Sequence, residues 1–319
     1  MTEINRRDAL RILGVGATSV VATATCSRLV SARDSAAFTP LPAGSILTKA
    51  IPSSGEAIPV IGLGTARTFD VGSTPAEQQP LEEVIKAFSA AGGKVIDSSP
   101  MYGNAEQVLG ELTAKLGLRQ KLFLATKVWT QGAAAGVRQM EESLRKLRAD
   151  TIDLMQVHNL VDVETQLNTL AEWKSKKRVR YVGVTHSNDN AYEAVERVIA
   201  TRKVDFLQIN YSVTERGAEQ RLLPLARDRG IAVIANRPFA RGNVFSSVRS
   251  KPLPSWAAEI DCTTWAQVFL KFVISNPAVT CAIPATSNVS HLRENMQAGS
   301  GRLPDAKLRA QIATEILST

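Results

Sequence analysis

The chain has 319 residues, 44% of them hydrophobic and 21% charged, which excludes a disordered polymer and a polytopic membrane protein. Lys and Arg number 38 against 30 Asp and Glu, for a net charge of +8. That excess is diffuse and aromatics are only 5%, so nucleic acid is not expected as a partner. Cys26, Cys262 and Cys281 are too few for a disulfide scaffold and lack metal-ligand spacing.

Residues 1–37 read as an export signal with a short exit segment. Asn5-Arg6-Arg7-Asp8-Ala9-Leu10-Arg11 is followed by an apolar run over 12–25 and then small residues to Ala37. The run is shorter than the roughly 20 residues a bilayer span needs, so no stable membrane anchor is expected. The paired arginines resemble the twin-arginine (Tat) pattern. That resemblance implies passage through the Tat export machinery and a periplasmic destination, with cleavage after either Ala32 or Ala37.

From residue 38 the chain reads as one domain. Residues 46–59 predict a hairpin turning at Ser53-Ser54-Gly55. Short β-branched runs then predict strands at 60–64, 94–97, 122–127, 152–158, 180–185, 206–210, 231–235 and 279–283. Helical patterns alternate with them at 81–91, 105–116, 136–148, 166–177, 191–202, 219–229, 262–275 and 289–298, with a final helix at 303–317. Gly92-Gly93, Gly117 and Gly230 stand where helices end. Eight regular strand–helix repeats predict an α/β fold of the (β/α)8 TIM-barrel type, with an N-terminal hairpin and an extra C-terminal helix.

Active sites of such barrels lie at the C-terminal ends of the strands. Asp97, Lys127 and His158 end the second, third and fourth strands, and Tyr102 follows in the second loop. An ammonium beside a phenol favours the phenolate and lowers the tyrosine pKa, while a carboxylate keeps the lysine charged. A histidine can donate a hydrogen bond to a substrate carbonyl. No HxH or HExxH string is present, so no metal is expected.

These residues resemble the aldo/keto reductase superfamily. The carriers are Val60-Ile61-Gly62-Leu63-Gly64-Thr65 and Val95-Ile96-Asp97-Ser98-Ser99-Pro100-Met101-Tyr102-Gly103 with Glu106 and Leu109-Gly110. Thr126-Lys127-Val128, Ile152 through His158, Tyr181 through Thr185 and Phe206 through Tyr211 continue the series. Ile283-Pro284-Ala285-Thr286-Ser287 and His291-Leu292-Arg293-Glu294-Asn295 complete it. The resemblance implies reduction of aldehyde and ketone carbonyls with NADP(H), NAD(H) being the alternative cofactor. Tyr102 would be the proton donor, tuned by Lys127 and Asp97, with His158 orienting the substrate. It also implies cofactor contacts from Thr65, Ala66, Asp97, Thr185, His186, Gln208, Asn236, Arg237, Pro238, Phe239, Arg241, Ala285, Thr286, Ser287, His291, Glu294 and Asn295. Arg67, Met101 and Trp129 are the expected lining of the substrate pocket.

Six positions depart from the family pattern. Thr185-His186 replaces Ser-Asn, Asn236 stands where an aromatic often stacks on nicotinamide, and Ala66 stands where Trp is frequent. Ala285 and His291 occupy the basic positions of members that prefer NADPH, leaving Arg293, Arg237 or Arg241 to meet the 2′-phosphate. These departures keep a second function open, a non-catalytic nucleotide-binding redox sensor on the same barrel. The short loop at 160–164 predicts an open site for small aldehydes, ketoaldehydes or sugar-like carbonyls.

Overall fold

The computed structural model describes residues 46–317. The expected export signal, Cys26 and both cleavage sites lie outside the described residues. Strands β1 (Thr48–Ala50) and β2 (Ala57–Pro59) form the expected antiparallel hairpin. Its Ile51 and Ile58 are buried against Val95, Phe123, Leu154, Tyr181, Phe206 and Ile234, so the hairpin stoppers the bottom of the barrel. Lys49 latches it there, its Nζ donating to the carbonyls of Ile274 (2.8 Å), Asn276 (3.0 Å) and Val279 (2.6 Å).

The barrel strands are β3 (Leu63–Gly64), β4 (Val95–Asp97), β5 (Phe123–Val128), β6 (Ile152–His158), β7 (Val179–His186), β8 (Phe206–Asn210), β9 (Ala232–Asn236) and β10 (Val279–Ala282). They pair in parallel in chain order. Parallel bridges Ile61↔Ala282 and Gly64↔Ala285 bring the last strand beside the first. A Cβ on Gly64 would stand 2.8 Å from the Ile283 carbonyl, so this closure needs glycine.

Around the strands run α1 (Pro75–Ala90), α2 (Ala105–Lys115), α3 (Ala133–Lys146), α4 (Val163–Ser175), α5 (Tyr192–Thr201), α6 (Leu222–Asp228), α7 (Trp265–Ile274) and α8 (Val289–Gln297). The additional C-terminal helix is α9 (Ala306–Leu317). Helix α1 starts six residues before the expected position. Thr74 and Glu77 form a capping box with Pro75 at the first helical position, which outweighs the one amide donor missing at Pro80. Helix α7 starts later than expected because Thr264 caps it, accepting from the Gln267 amide. The long segment after β9 folds into 3-10 turns, Ala240–Val248 and Ser255–Ile260. Its Phe239, Phe245 and Phe269 rings pack in series at 5.2 and 5.5 Å, docking it on α7. Among the described residues no helix is long and apolar enough to cross a membrane.

Candidate active site

Side chains alternate along a strand, so every second residue faces the barrel axis. The inward set begins apolar, with Val95, Phe123, Leu154, Tyr181, Phe206 and Ala232. Continuing by twos toward the C-terminal ends, it becomes Asp97, Lys127, His158, Thr185, Gln208 and Asn236. The register sets three of them level: His158 lies beside Thr185, and Thr185 beside Gln208. A single alternation therefore gives an apolar floor and a polar mouth.

Lys127 is fully buried. Its Nζ donates to Asp97 Oδ2 (2.7 Å) and to the Ser98 carbonyl (2.6 Å), and lies 5.1 Å from the Tyr102 ring centroid. The other Asp97 oxygen accepts from Gln208 Nε2 (2.8 Å) and Gln156 Nε2 (3.3 Å). Burial alone would pull the Lys127 ammonium down, but Asp97 and Tyr102 override it and its pKa moves up. The lysine stays charged.

Tyr102 closes a turn, Ser99-Pro100-Met101-Tyr102, in which its amide donates to the Ser99 carbonyl at 3.0 Å. Proline in the second position presets the turn's φ. Gly103 follows at φ 57°, and a Cβ there would meet Asp70 Oδ1 at 2.1 Å. That oxygen accepts from the Asn104 amide at 2.9 Å, tying the first loop to the loop of Tyr102. The expected lowering of the Tyr102 pKa is not the net outcome. Burial pushes the hydroxyl up and Lys127 offsets only part of this, so the phenol remains protonated at neutral pH.

His158 stands edge-on to Tyr102, with ring centroids 6.0 Å apart. Its Nδ1 is 3.0 Å from Ser99 Oγ. Burial first, then the charge on Lys127 and the neighbouring His186, hold its pKa down at about 3. The ring is neutral across the physiological range. The mouth thus joins a protonated phenol, a charged lysine and a neutral imidazole, a set suited to delivering a proton to a polarised oxygen.

The aldo/keto reductase family profile matches residues 60–312, which span all eight barrel strands and these side chains. The chain belongs to the aldo/keto reductase family. Methylglyoxal reductase YeaE of Escherichia coli (strain K12) is 28% identical over 268 residues, covering 82% of this chain and 92% of its own. An aldo-keto reductase from Klebsiella pneumoniae in complex with NADPH has TM-score 0.68 at 26% identity, over 84% of this chain and 94% of its own. An aldo/keto reductase from the same organism in complex with NADP and acetate has TM-score 0.66 at 26% identity, over 81% and 91% of the two chains.

In this aldo/keto reductase the buried hydroxyls of Thr65 and Thr185 are held within the barrel. Thr65 Oγ1 donates to the Asp97 carbonyl (2.9 Å) and lies 3.0 Å from Ser98 Oγ, from which it can accept, and Thr185 Oγ1 donates to Gln208 Oε1 (3.1 Å). The Asn188 amide donates to His186 Nδ1 at 3.1 Å. With that nitrogen accepting, His186 carries its proton on Nε2, the donor that the Asn of the family pattern would supply. Asn236 Oδ1 is buried without a hydrogen-bond partner, an acceptor suited to an amide N–H such as a nicotinamide carboxamide provides. Ala66 is half-buried, with no bulk on that side.

Arg237 has partners on two neighbouring loops. It adopts φ 51°, and its guanidinium donates to the Ser187 carbonyl and to Glu215 Oε1, both at 2.7 Å. It braces three loops together. Pro238 is buried beneath Phe239, while Arg241 at φ 59° is exposed. At the other end Ala285, Ser287 and His291 are exposed, Glu294 is half-buried, and Thr286 and Asn295 are buried. Thr286 Oγ1 already accepts from the Asn288 amide at 3.0 Å. Asn288 Oδ1 in turn caps α8 by accepting from the amides of Ser290 (2.8 Å) and His291 (3.2 Å).

Arg67, Met101 and Trp129 stand exposed on the loops after β3, β4 and β5, forming a rim. Cys262 and Cys281 are both buried free thiols, with burial pushing each up. Among the described residues no group of three or more His, Cys, Asp or Glu side chains is placed to hold a metal. Two site residues went unassigned in the sequence, Gln156 and Ser99. Counting back two from His158 identifies Gln156 as inward-facing, and Ser before Pro signals the turn that aims the Ser99 hydroxyl.

Proposed function

We propose that the protein reduces small aldehydes and ketoaldehydes to alcohols with NADPH, Tyr102 supplying the proton. The observation that carries this reading is the convergence of Tyr102, Lys127, Asp97 and His158 on one barrel mouth, with Lys127, Asp97 and His158 held by buried hydrogen bonds and Tyr102 set by its turn against Lys127. NADP(H) supplies hydride when bound, and the residues suited to hold it are Thr185, His186, Gln208, Asn236 and the segment over 285–295.

His158 polarises the substrate carbonyl by donating a hydrogen bond to its oxygen. Tyr102 then protonates that oxygen as negative charge builds on it. Lys127 stabilises the phenolate left behind, which recovers much of what burial of Tyr102 costs. Asp97 neutralises and aims Lys127 throughout. The likeness to methylglyoxal reductase YeaE supports a compact ketoaldehyde such as methylglyoxal as substrate.

Steady-state NADPH oxidation across aldehydes, ketones, ketoaldehydes and sugars is the test. Turnover dependent on a carbonyl substrate supports the proposal. Tight NADPH binding with no carbonyl accelerating its oxidation would replace it with the sensor reading.

Export through the Tat machinery to the periplasm belongs to the same proposal, supported by Arg6-Arg7 and the apolar run after them. Tat export carries folded proteins, so the barrel can close on its nucleotide before leaving the cytoplasm. Replacing Arg6→Lys together with Arg7→Lys should leave a folded precursor in the cytoplasm. Processed periplasmic protein from the double variant would refute this routing.

A further inference from the structure

We propose that Ser99 is a positioning residue that fixes the tautomer of His158, holding its proton on Nε2 and so making it the donor to the substrate carbonyl. The proposal rests on the reductase reading for its catalytic consequence, though not for the tautomer itself.

A serine hydroxyl has one proton and two acceptor lone pairs. Ser99 is fully buried, and its Oγ has two partners. The Met101 amide donates to it at 3.2 Å and can only be a donor. His158 Nδ1, at 3.0 Å, accepts or donates according to its tautomer. If Nδ1 carried the proton, Ser99 would receive two donors and its own O–H would be left buried without an acceptor, an arrangement that folded proteins avoid. If Nδ1 is bare, the hydroxyl donates to it and every group is satisfied. The neutral ring then places its proton on Nε2, the nitrogen with no hydrogen-bond partner among the described residues. The nitrogen that a histidine leaves to its neighbour determines what the other nitrogen can do.

The same turn carries Tyr102 and touches His158. Tyr102 N donates to the Ser99 carbonyl while the Ser99 side chain reaches His158, so one residue spaces the proton donor from the carbonyl-orienting ring. Pro100 cannot compete for the Ser99 oxygen because it has no amide proton.

The experiment is a long-range 1H–15N correlation spectrum of full-length protein labelled with 15N-histidine, which contains three histidines and is assigned with His158→Gln. It is read beside kcat/KM for methylglyoxal with NADPH. Wild type should show His158 as the Nε2–H tautomer. Ser99→Ala should give a mixture of tautomers and lower kcat/KM about five- to tenfold, with KM for NADPH unchanged. Ser99→Thr keeps the hydroxyl and should restore both. Wild-type His158 protonated on Nδ1 overturns the proposal whether or not any variant folds. So does a tautomer unmoved in Ser99→Ala, or a moved tautomer with unchanged kcat/KM. If wild type reduces no carbonyl at all, the reductase reading fails while the spectrum still judges the tautomer.

Discussion

Lys127 Nζ lies 2.7 Å from Asp97 Oδ2, with the two side chains 0% and 3% exposed. A pair sealed this way is held by more than its own attraction. Gln156 and Gln208 hydrogen-bond the second carboxylate oxygen, and the Ser98 carbonyl accepts from the ammonium. Removing one member leaves the other charge buried, whereas removing both need not cost stability.

Lys127→Met should therefore destabilise the fold by about 3–5 kcal/mol, and the double variant Lys127→Met with Asp97→Leu should recover a large part of that loss. Urea denaturation of the four proteins of this cycle measures it. Equal and additive losses would show that the pair is not coupled. Carbonyl reduction should be lost in all three variants.

Tyr102→Phe should lower kcat at least 10²-fold, the usual cost of removing a positioned general acid. NADPH affinity should stay near wild type, because the ring remains in place and only the hydroxyl is removed. More than a tenth of wild-type kcat in this variant would assign the proton to another group.

His158 makes stability depend on acidity. Unfolded, its imidazole takes up a proton below about pH 6.5, while the folded ring resists protonation until about pH 3. Between these values the unfolded chain binds more protons, so stability is lost as pH falls from 6.5 and returns as pH rises. The loss between pH 7 and pH 5 attributable to His158 is about 2 kcal/mol. His158→Gln should flatten the pH dependence by that amount in paired denaturation curves, and superimposable slopes would contradict it. For the same reason the acid limb of kcat/KM should show no step near pH 6.5 from this residue.

Discrimination between NADPH and NADH should stay below about a hundredfold. Ala285 and His291 do not offer the charge-assisted hydrogen bonds that a 2′-phosphate gains from a lysine and an arginine. Arg237 already donates to Glu215 and Ser187. The ratio of kcat/KM values measures this directly. A larger ratio that collapses in Arg241→Ala would place the phosphate on Arg241 instead.

Local periodicity was sufficient to read the barrel. Repeats of two and 3.6 are set by neighbouring residues, and both appear in the chain in alternation. Asp97, Lys127 and His158 were legible as a site because each lies at the C-terminal end of a strand whose earlier axis-facing residues, Val95, Phe123 and Leu154, are apolar. What the sequence could not carry was the set of partners each polar group acquires across the barrel. Arg237 gains Glu215 as a partner only when the β8–β9 pairing brings the two loops together. The direction of the Tyr102 shift likewise depends on a balance between burial and the Lys127 charge. Ser99 touches a nitrogen 59 residues away. Hydrogen bonds and desolvation act over a few ångströms of space, whatever the separation along the chain, so these roles were decided only when the strands closed into a ring.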